Sequence, residues 1–170
     1  MADVRAASQS SRAVLTLGNS NSNSGGSSSG GDYMSSVALS DDGQWLAAGG
    51  GSGVVGVWHA STQRIATSLA HSNAIGTVKF VPRGAVGQRD GEASASGGAT
   101  IVTTTLGGAS VAQWRIDGAL HATATTASSC LYALAFARQA SYHALAVAGS
   151  TSLIEVFFGT FERVGARFTL

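Results

Sequence analysis

The stretch Val37–His71, VALSDDGQWLAAGGGSGVVGVWHASTQRIATSLAH, decides how the rest of the chain is read. Val37 and Leu39 alternate with Ala38 and Ser40 and run into Asp41-Asp42-Gly43. A period of two marks a strand, and Asp-Gly closes it as a tight turn because glycine accepts a positive φ. Trp45–Ala48 predicts a second strand, Gly49–Gly53 a second turn, and Val54, Val55, Val57 and Trp58 a third strand, β-branched and aromatic. Ser61-Thr62-Gln63 then turns the chain into Arg64–Leu69, a fourth and outer strand.

Four short antiparallel strands with Trp58 closing the third resemble one blade of a WD-repeat β-propeller. Trp58-His59 stands where such repeats have Trp-Asp, and Ala70-His71 where they have Gly-His. Ser52 occupies the turn position where many carry an Asp that holds the His, so His71 is expected to lack a carboxylate partner.

The same plan recurs twice. Ile75, Val78 and Phe80 open a second unit, and Val81-Pro82 ends its first strand. Residues 83–98 are polar and Gly-rich, and read as a loop inserted between strands. Ala99–Thr105 and Ser110–Ile116 resume the pattern around Gly107-Gly108, with Trp114 in the role of Trp58 and Leu120–Ala124 outermost. The third unit starts at Leu131, Ala133 and Ala135 and continues through Ala144–Ala148. After the turn Gly149–Ser152 it reaches Leu153–Phe158, with Phe157 in the Trp position, and closes on Phe161–Leu170.

Spacing fixes the register. Leu39, Phe80 and Phe136 lie 41 and 56 positions apart, and Trp58, Trp114 and Phe157 lie 56 and 43 apart. WD repeats run about 40–45 residues, and the single 83–98 insertion lengthens both long intervals. The expected fold is therefore all-β, about three WD-repeat β-propeller blades over residues 35–170. Closed propellers need about four blades or more, so the array is expected to belong to a longer propeller or to be completed by a partner. A β-sandwich of the same strands is the alternative.

Residues 1–34 differ in character. Asn19–Gly31 is Ser, Asn and Gly throughout, a composition that cannot bury enough apolar surface to order itself. Ala13–Leu17 is one strand-like run within this tail, fit for an outer strand of a preceding blade. The Ala, Ser and Arg of the extreme N-terminus read as a plain tail or as an organellar transit peptide.

Composition narrows the function classes. Net charge is +1 and Lys79 is the only lysine, so the sequence shows no basic patch for phosphate contacts. No apolar run reaches the length of a membrane-spanning helix. The single Cys130 cannot form an internal disulfide, which fits a reducing compartment.

Motifs that match chemistry on paper fail on context. Gly51-Ser52-Gly53-Val54-Val55-Gly56 fits G-x-G-x-x-G, but a strand follows where a dinucleotide site needs a helix N-terminus. Gly26-Ser27-Ser28-Ser29-Gly30 fits the G-x-S-x-G nucleophile elbow but lies in low-complexity sequence, not at a strand-to-helix turn. His59, His71, His121 and His143 lack a second ligand at metal spacing. Asp41, Asp42 and Asp117 read as turn formers and Cys130 as a small core residue. No catalytic, cofactor or metal site is expected. Trp58, Trp114 and Phe157 read as repeat positions and His71 as a structural histidine. Trp45, where the repeat usually has a small or polar residue, is the candidate partner contact.

A finer resemblance lies in the second half. Gln113-Trp114-Arg115-Ile116-Asp117-Gly118-Ala119-Leu120, then Ser128–Leu134, Ala146–Gly149, Leu153–Val156 and Phe158-Gly159-Thr160 are similar to segments of the sixth subunit of the THO complex. Ser150-Thr151-Ser152 replaces a Gly-rich turn of that family, and 83–98 has no counterpart in it. The resemblance implies a non-enzymatic nuclear scaffold in mRNP biogenesis and mRNA export that binds other protein subunits, with no small-molecule ligand. The alternative is an adaptor of another complex, such as a ubiquitin-ligase substrate receptor. A propeller enzyme or ligand binder would need polar side chains converging at the channel mouth, and the Ala/Gly/Ser-rich strand ends offer few.

Overall fold

A computed structural model of the chain describes residues 33–82, 99–137, 144–158 and 163–169. Most of the low-complexity tail (including Ala13–Leu17), the 83–98 insertion and His143 lie outside the described residues. The described strands form three four-stranded antiparallel sheets, each meandering from an inner to an outer strand. The all-β expectation holds, and the strands stack as successive sheets instead of two sandwich layers.

The first sheet is β1 (Met34–Leu39), β2 (Trp45–Gly50), β3 (Val54–His59) and β4 (Arg64–Ala70). The second is β5 (Ile75–Phe80), β6 (Thr100–Thr105), β7 (Ser110–Arg115) and β8 (Leu120–Thr125). The third is β9 (Leu131–Phe136), β10 (Ala144–Gly149), β11 (Leu153–Phe158) and β12 (Arg163–Thr169). β1 begins three residues ahead of the Val37 that the alternation picks out, which brings Ser35 and Ser36 into the strand.

Turn chemistry explains the hairpins. Gly43 takes φ +68°, and the Asp42 carboxylate accepts from the Ser40 hydroxyl (2.6 Å) and the Gln44 N–H (3.0 Å), an Asx-type closure. Asp117 does the same for β7–β8, accepting from the Ala119 N–H at 3.0 Å beside Gly118 at φ +92°. Its ion pair with Arg115 is half-exposed on both sides and adds little. Gly51-Ser52-Gly53 is the β2–β3 turn, followed by strand, so the G-x-G-x-x-G match opens no helix.

The register repeats from sheet to sheet. Leu39 pairs with Leu46 and Leu46 with Trp58; Phe80, Ile101 and Trp114 form the same row, as do Phe136, Leu145 and Phe157. Even the irregularities recur: the outer pairing shifts at Val57/Trp58, Gln113/Trp114 and Val156/Phe157. A bulge that returns at one position in each unit is a feature of the repeat itself.

Pleating sends alternate residues of each strand to opposite neighbours. On β6, Ile101 joins Ala47, Val55, Val57, Leu69, Ile75, Val78 and Phe80 in the core between the first and second sheets. Its neighbour Val102 joins Val111, Leu131, Leu134, Leu145, Val147 and Phe157 between the second and third. Each fully buried Val, Leu or Ile contributes about 1.5–3 kcal/mol. The second sheet, covered on both faces, is the keystone, and a charge at Ile101 or Val102 would open one of its two interfaces.

Candidate functional site

Polar side chains collect where the sheets meet, and each tie begins with a residue whose pleat position aims it at the neighbour. On β1, the Ser35 hydroxyl donates to the Ile75 carbonyl at 2.6 Å, and the Ser36 hydroxyl accepts from the Val78 N–H at 3.0 Å. On β5, Thr77 sits at the same place as Ser36 and its hydroxyl donates to the Tyr132 carbonyl at 3.0 Å. Short hydroxyl side chains thus stitch the inner strands together across sheets, each such bond stabilising by about 1 kcal/mol.

His71, in the β4–β5 loop, is held by the second sheet. Its Nε2 lies 3.2 Å from the Thr103 hydroxyl, which accepts from the Trp114 Nε1–H at 3.0 Å and lies 3.3 Å from the Ala112 carbonyl. The His71 and Trp114 rings meet edge-on, centroids 5.2 Å apart. A threonine hydroxyl has one proton to give and two lone pairs, so Thr103 serves all three neighbours when His71 carries its proton on Nε2. Burial lowers the His71 pKa from 6.5, which favours this neutral ring.

The His71 ring thus bonds a hydroxyl of the second sheet, while the His71 N–H donates to the Gly53 carbonyl of the Ser52 turn at 2.9 Å. Counting six residues back from Trp114, as Ser52 stands from Trp58, leads to Gly108, in the β6–β7 turn of the sheet that holds His71. Glycine offers no carboxylate there. A Cβ added at Gly108 would lie 2.6 Å from Asn73 Nδ2 and 2.7 Å from Thr105 Oγ1, so the Asn73 carboxamide already fills the space. Ser52 instead bonds within its own turn, accepting from the Val54 N–H at 3.4 Å.

The third sheet solves the same problem with other residues. Phe157 replaces the tryptophan, Val147 stands at the Thr103 position and Glu155 at the Ala112 position. Glu155 is 2% exposed, accepts the Ala127 N–H of the β8–β9 loop at 2.8 Å and pairs with Arg167 Nε at 2.9 Å. In the same loop Thr126 and Ser128 are buried, and the Ser128 and Thr151 hydroxyls bond at 2.5 Å.

The remaining candidates are scattered. Trp45 is half-buried against the first core cluster and meets His59 edge-on, centroids 4.8 Å apart. His59 also bonds Ser61 through Nδ1 at 3.0 Å, and His121 is exposed. Trp58 and Phe157 are buried, and Trp114 is half-buried. Cys130 is half-buried, and its hydrogen bond raises the pKa of the exposed Tyr132. Gln113 is 3% exposed with its Oε1 unpartnered among the described residues. Among those residues no three His, Cys, Asp or Glu side chains converge on a metal-sized site. An open cleft of about 270 Å³ lies between stretches 36–39 of β1 and 78–80 of β5, below the usual size of a ligand pocket. Sequence reading missed Thr103, Glu155 and Thr77; the legible signal for Glu155 was a charge on the inward face of an apolar strand.

Solved structures share this arrangement. The structure of U3-55K superposes with a TM-score of 0.60 at 19% identity, over 81% of this chain and 37% of that one. The crystal structure of the RRP9 WD40 repeats gives 0.61 at 19% identity, over 81% and 36%. The chain therefore spans little more than a third of the length of these structures. No family model and no curated protein sequence matches the chain. The recurring register and the recurring bulges agree with these likenesses: the three sheets are consecutive blades of the WD40-repeat β-propeller fold.

Proposed function

We propose that the chain is a non-enzymatic scaffold that binds protein subunits of a larger complex through its blade faces and loops. The observation that carries this reading is how its buried polar groups are used. His71, Thr103, Trp114 and Glu155 each fasten an inter-blade loop to a sheet, which makes rigid supports for variable loops. Within the proposal the complex is of the THO type, acting in mRNP biogenesis and mRNA export in the nucleus. The support for this finer part is the resemblance over residues 99–170, whose Gln113–Leu120 segment spans the β7–β8 hairpin. Trp45 is the proposed contact side chain, at the loop end of β2.

Affinity capture of the tagged protein from nuclear extract tests the reading. Recovery of export-complex subunits is expected, reduced by Trp45→Ala while the near-UV circular dichroism is retained. Recovery of cullin-type ligase components instead would replace the THO assignment with the adaptor one. Substrate turnover lost in His71→Gln would overturn the scaffold reading altogether.

A further inference from the structure

The two seams inside the array, between blades 1 and 2 and between blades 2 and 3, are built on one register but finished with different residues. Val57 pairs with Ala47 and Thr67, and Gln113 with Val102 and Ala122, so the two hold one position in successive blades. Val57 is buried in the apolar core of the first seam. Gln113 takes that position in the second, where its strand neighbours Val102 and Ala122 join Leu134, Leu145 and Phe157 of blade 3. The carboxamide is buried with them, and its Oε1 has no partner among the described residues. Glu155 brings a buried charge into the same seam, pairing in register with Val147 of that core. In the first seam the Thr103 hydroxyl meets His71 and Trp114, and the Thr105 hydroxyl meets Ser110 at 3.0 Å. The inner ends differ as well. The Ile75 carbonyl of blade 2 accepts from Ser35 of blade 1 at 2.6 Å. Gly76 holds the place of Ser35 in the bulge of blade 2, and the equivalent carbonyl, Leu131 of blade 3, accepts only from Thr104, at 3.4 Å.

We propose that the seam between blades 2 and 3 is an opening point built into the fold, while blades 1 and 2 stay together as one rigid support. A buried amide oxygen without a partner costs its full desolvation as long as the seam is closed, and water satisfies it when the seam opens. The carboxylate of Glu155 acts in the same direction, because even a paired charge recovers little of what its burial costs. Local opening runs through the least stable contact of a structure, and here the apolar Val57 of one seam is answered by Gln113 in the other. Each opening changes the angle between the loops of blade 3 and those of blades 1 and 2, without breaking the hydrogen bonds inside any sheet.

Thiol labelling of the full chain under native conditions measures the opening. In a Cys130→Ser background, Val55→Cys and Val111→Cys place one thiol at equivalent buried positions of the two seams. The thiol at position 111 should react about tenfold faster than that at 55, the change that one orphaned buried group makes. Adding Gln113→Met, which keeps the volume and removes the amide, should slow labelling at 111 towards the rate at 55. Adding Val57→Gln, which gives the first seam the same defect, should speed labelling at 55. Equal rates at the two positions, as global unfolding alone would give, would overturn the proposal. So would a rate at 111 that Gln113→Met leaves unchanged, which would mean that water already satisfies the amide in the closed seam.

Discussion

Blades 2 and 3 do the same mechanical job with different chemistry. In blade 2 a neutral relay, His71–Thr103–Trp114, ties the β4–β5 loop to the sheet. In blade 3 the tryptophan has become Phe157, the hydroxyl has become Val147, and Glu155 fastens the β8–β9 loop through the Ala127 N–H. An aromatic ring without an N–H has no use for a hydroxyl beside it, so the two losses go together. A buried carboxylate takes over and brings Arg167 as its counter-charge. What the repeat keeps is the tie between loop and sheet, by whichever residues make it.

The largest effect is expected at the charged tie. Glu155→Ala should lower stability by about 2–4 kcal/mol, because it empties a buried position and strips the Ala127 N–H and Arg167 of their partner. Urea unfolding measures it. Thr103→Val keeps the shape and removes the relay, leaving the Trp114 N–H and His71 unpaired at a cost of about 1–3 kcal/mol. A loss below about 0.5 kcal/mol, the scatter of ordinary surface substitutions, would show that the relay is decorative.

Acid separates the two blades more gently. Burial lowers the folded-state pKa of His71, so below 6.5 the unfolded chain takes up a proton that the folded chain resists. His71 therefore contributes stability that is full above pH 6.5 and lost as pH falls from there through its lowered folded-state pKa. Thermal melts from pH 7.5 down to about 5, spanning the ordinary histidine range, should show a slope that His71→Gln flattens. An unchanged slope in that variant would remove His71 from the account.

Much of the fold could be read in the chain because its signals are local. Asp42-Gly43 and Asp117-Gly118 announced their hairpins, and the rows through Leu39, Phe80 and Phe136 set the register. The ties were harder to read because they cross between units. His71 follows the first blade in sequence and its N–H donates to the Gly53 carbonyl of that blade's turn, yet its ring is bound by a hydroxyl 32 residues later. Glu155 lay in a strand whose neighbours Leu153 and Phe157 share its face, so alternation alone placed a carboxylate inward. No pattern within one blade reveals that its partner is a loop amide 28 residues earlier.

Native-state hydrogen exchange tests the equivalence of the two ties most directly. Thr103→Val should speed exchange in residues 71–74 and the β6–β7 turn and leave 126–130 protected. Glu155→Ala should do the reverse. Two variants that loosen both loops alike, or neither, would contradict the claim that each blade fastens its own incoming loop.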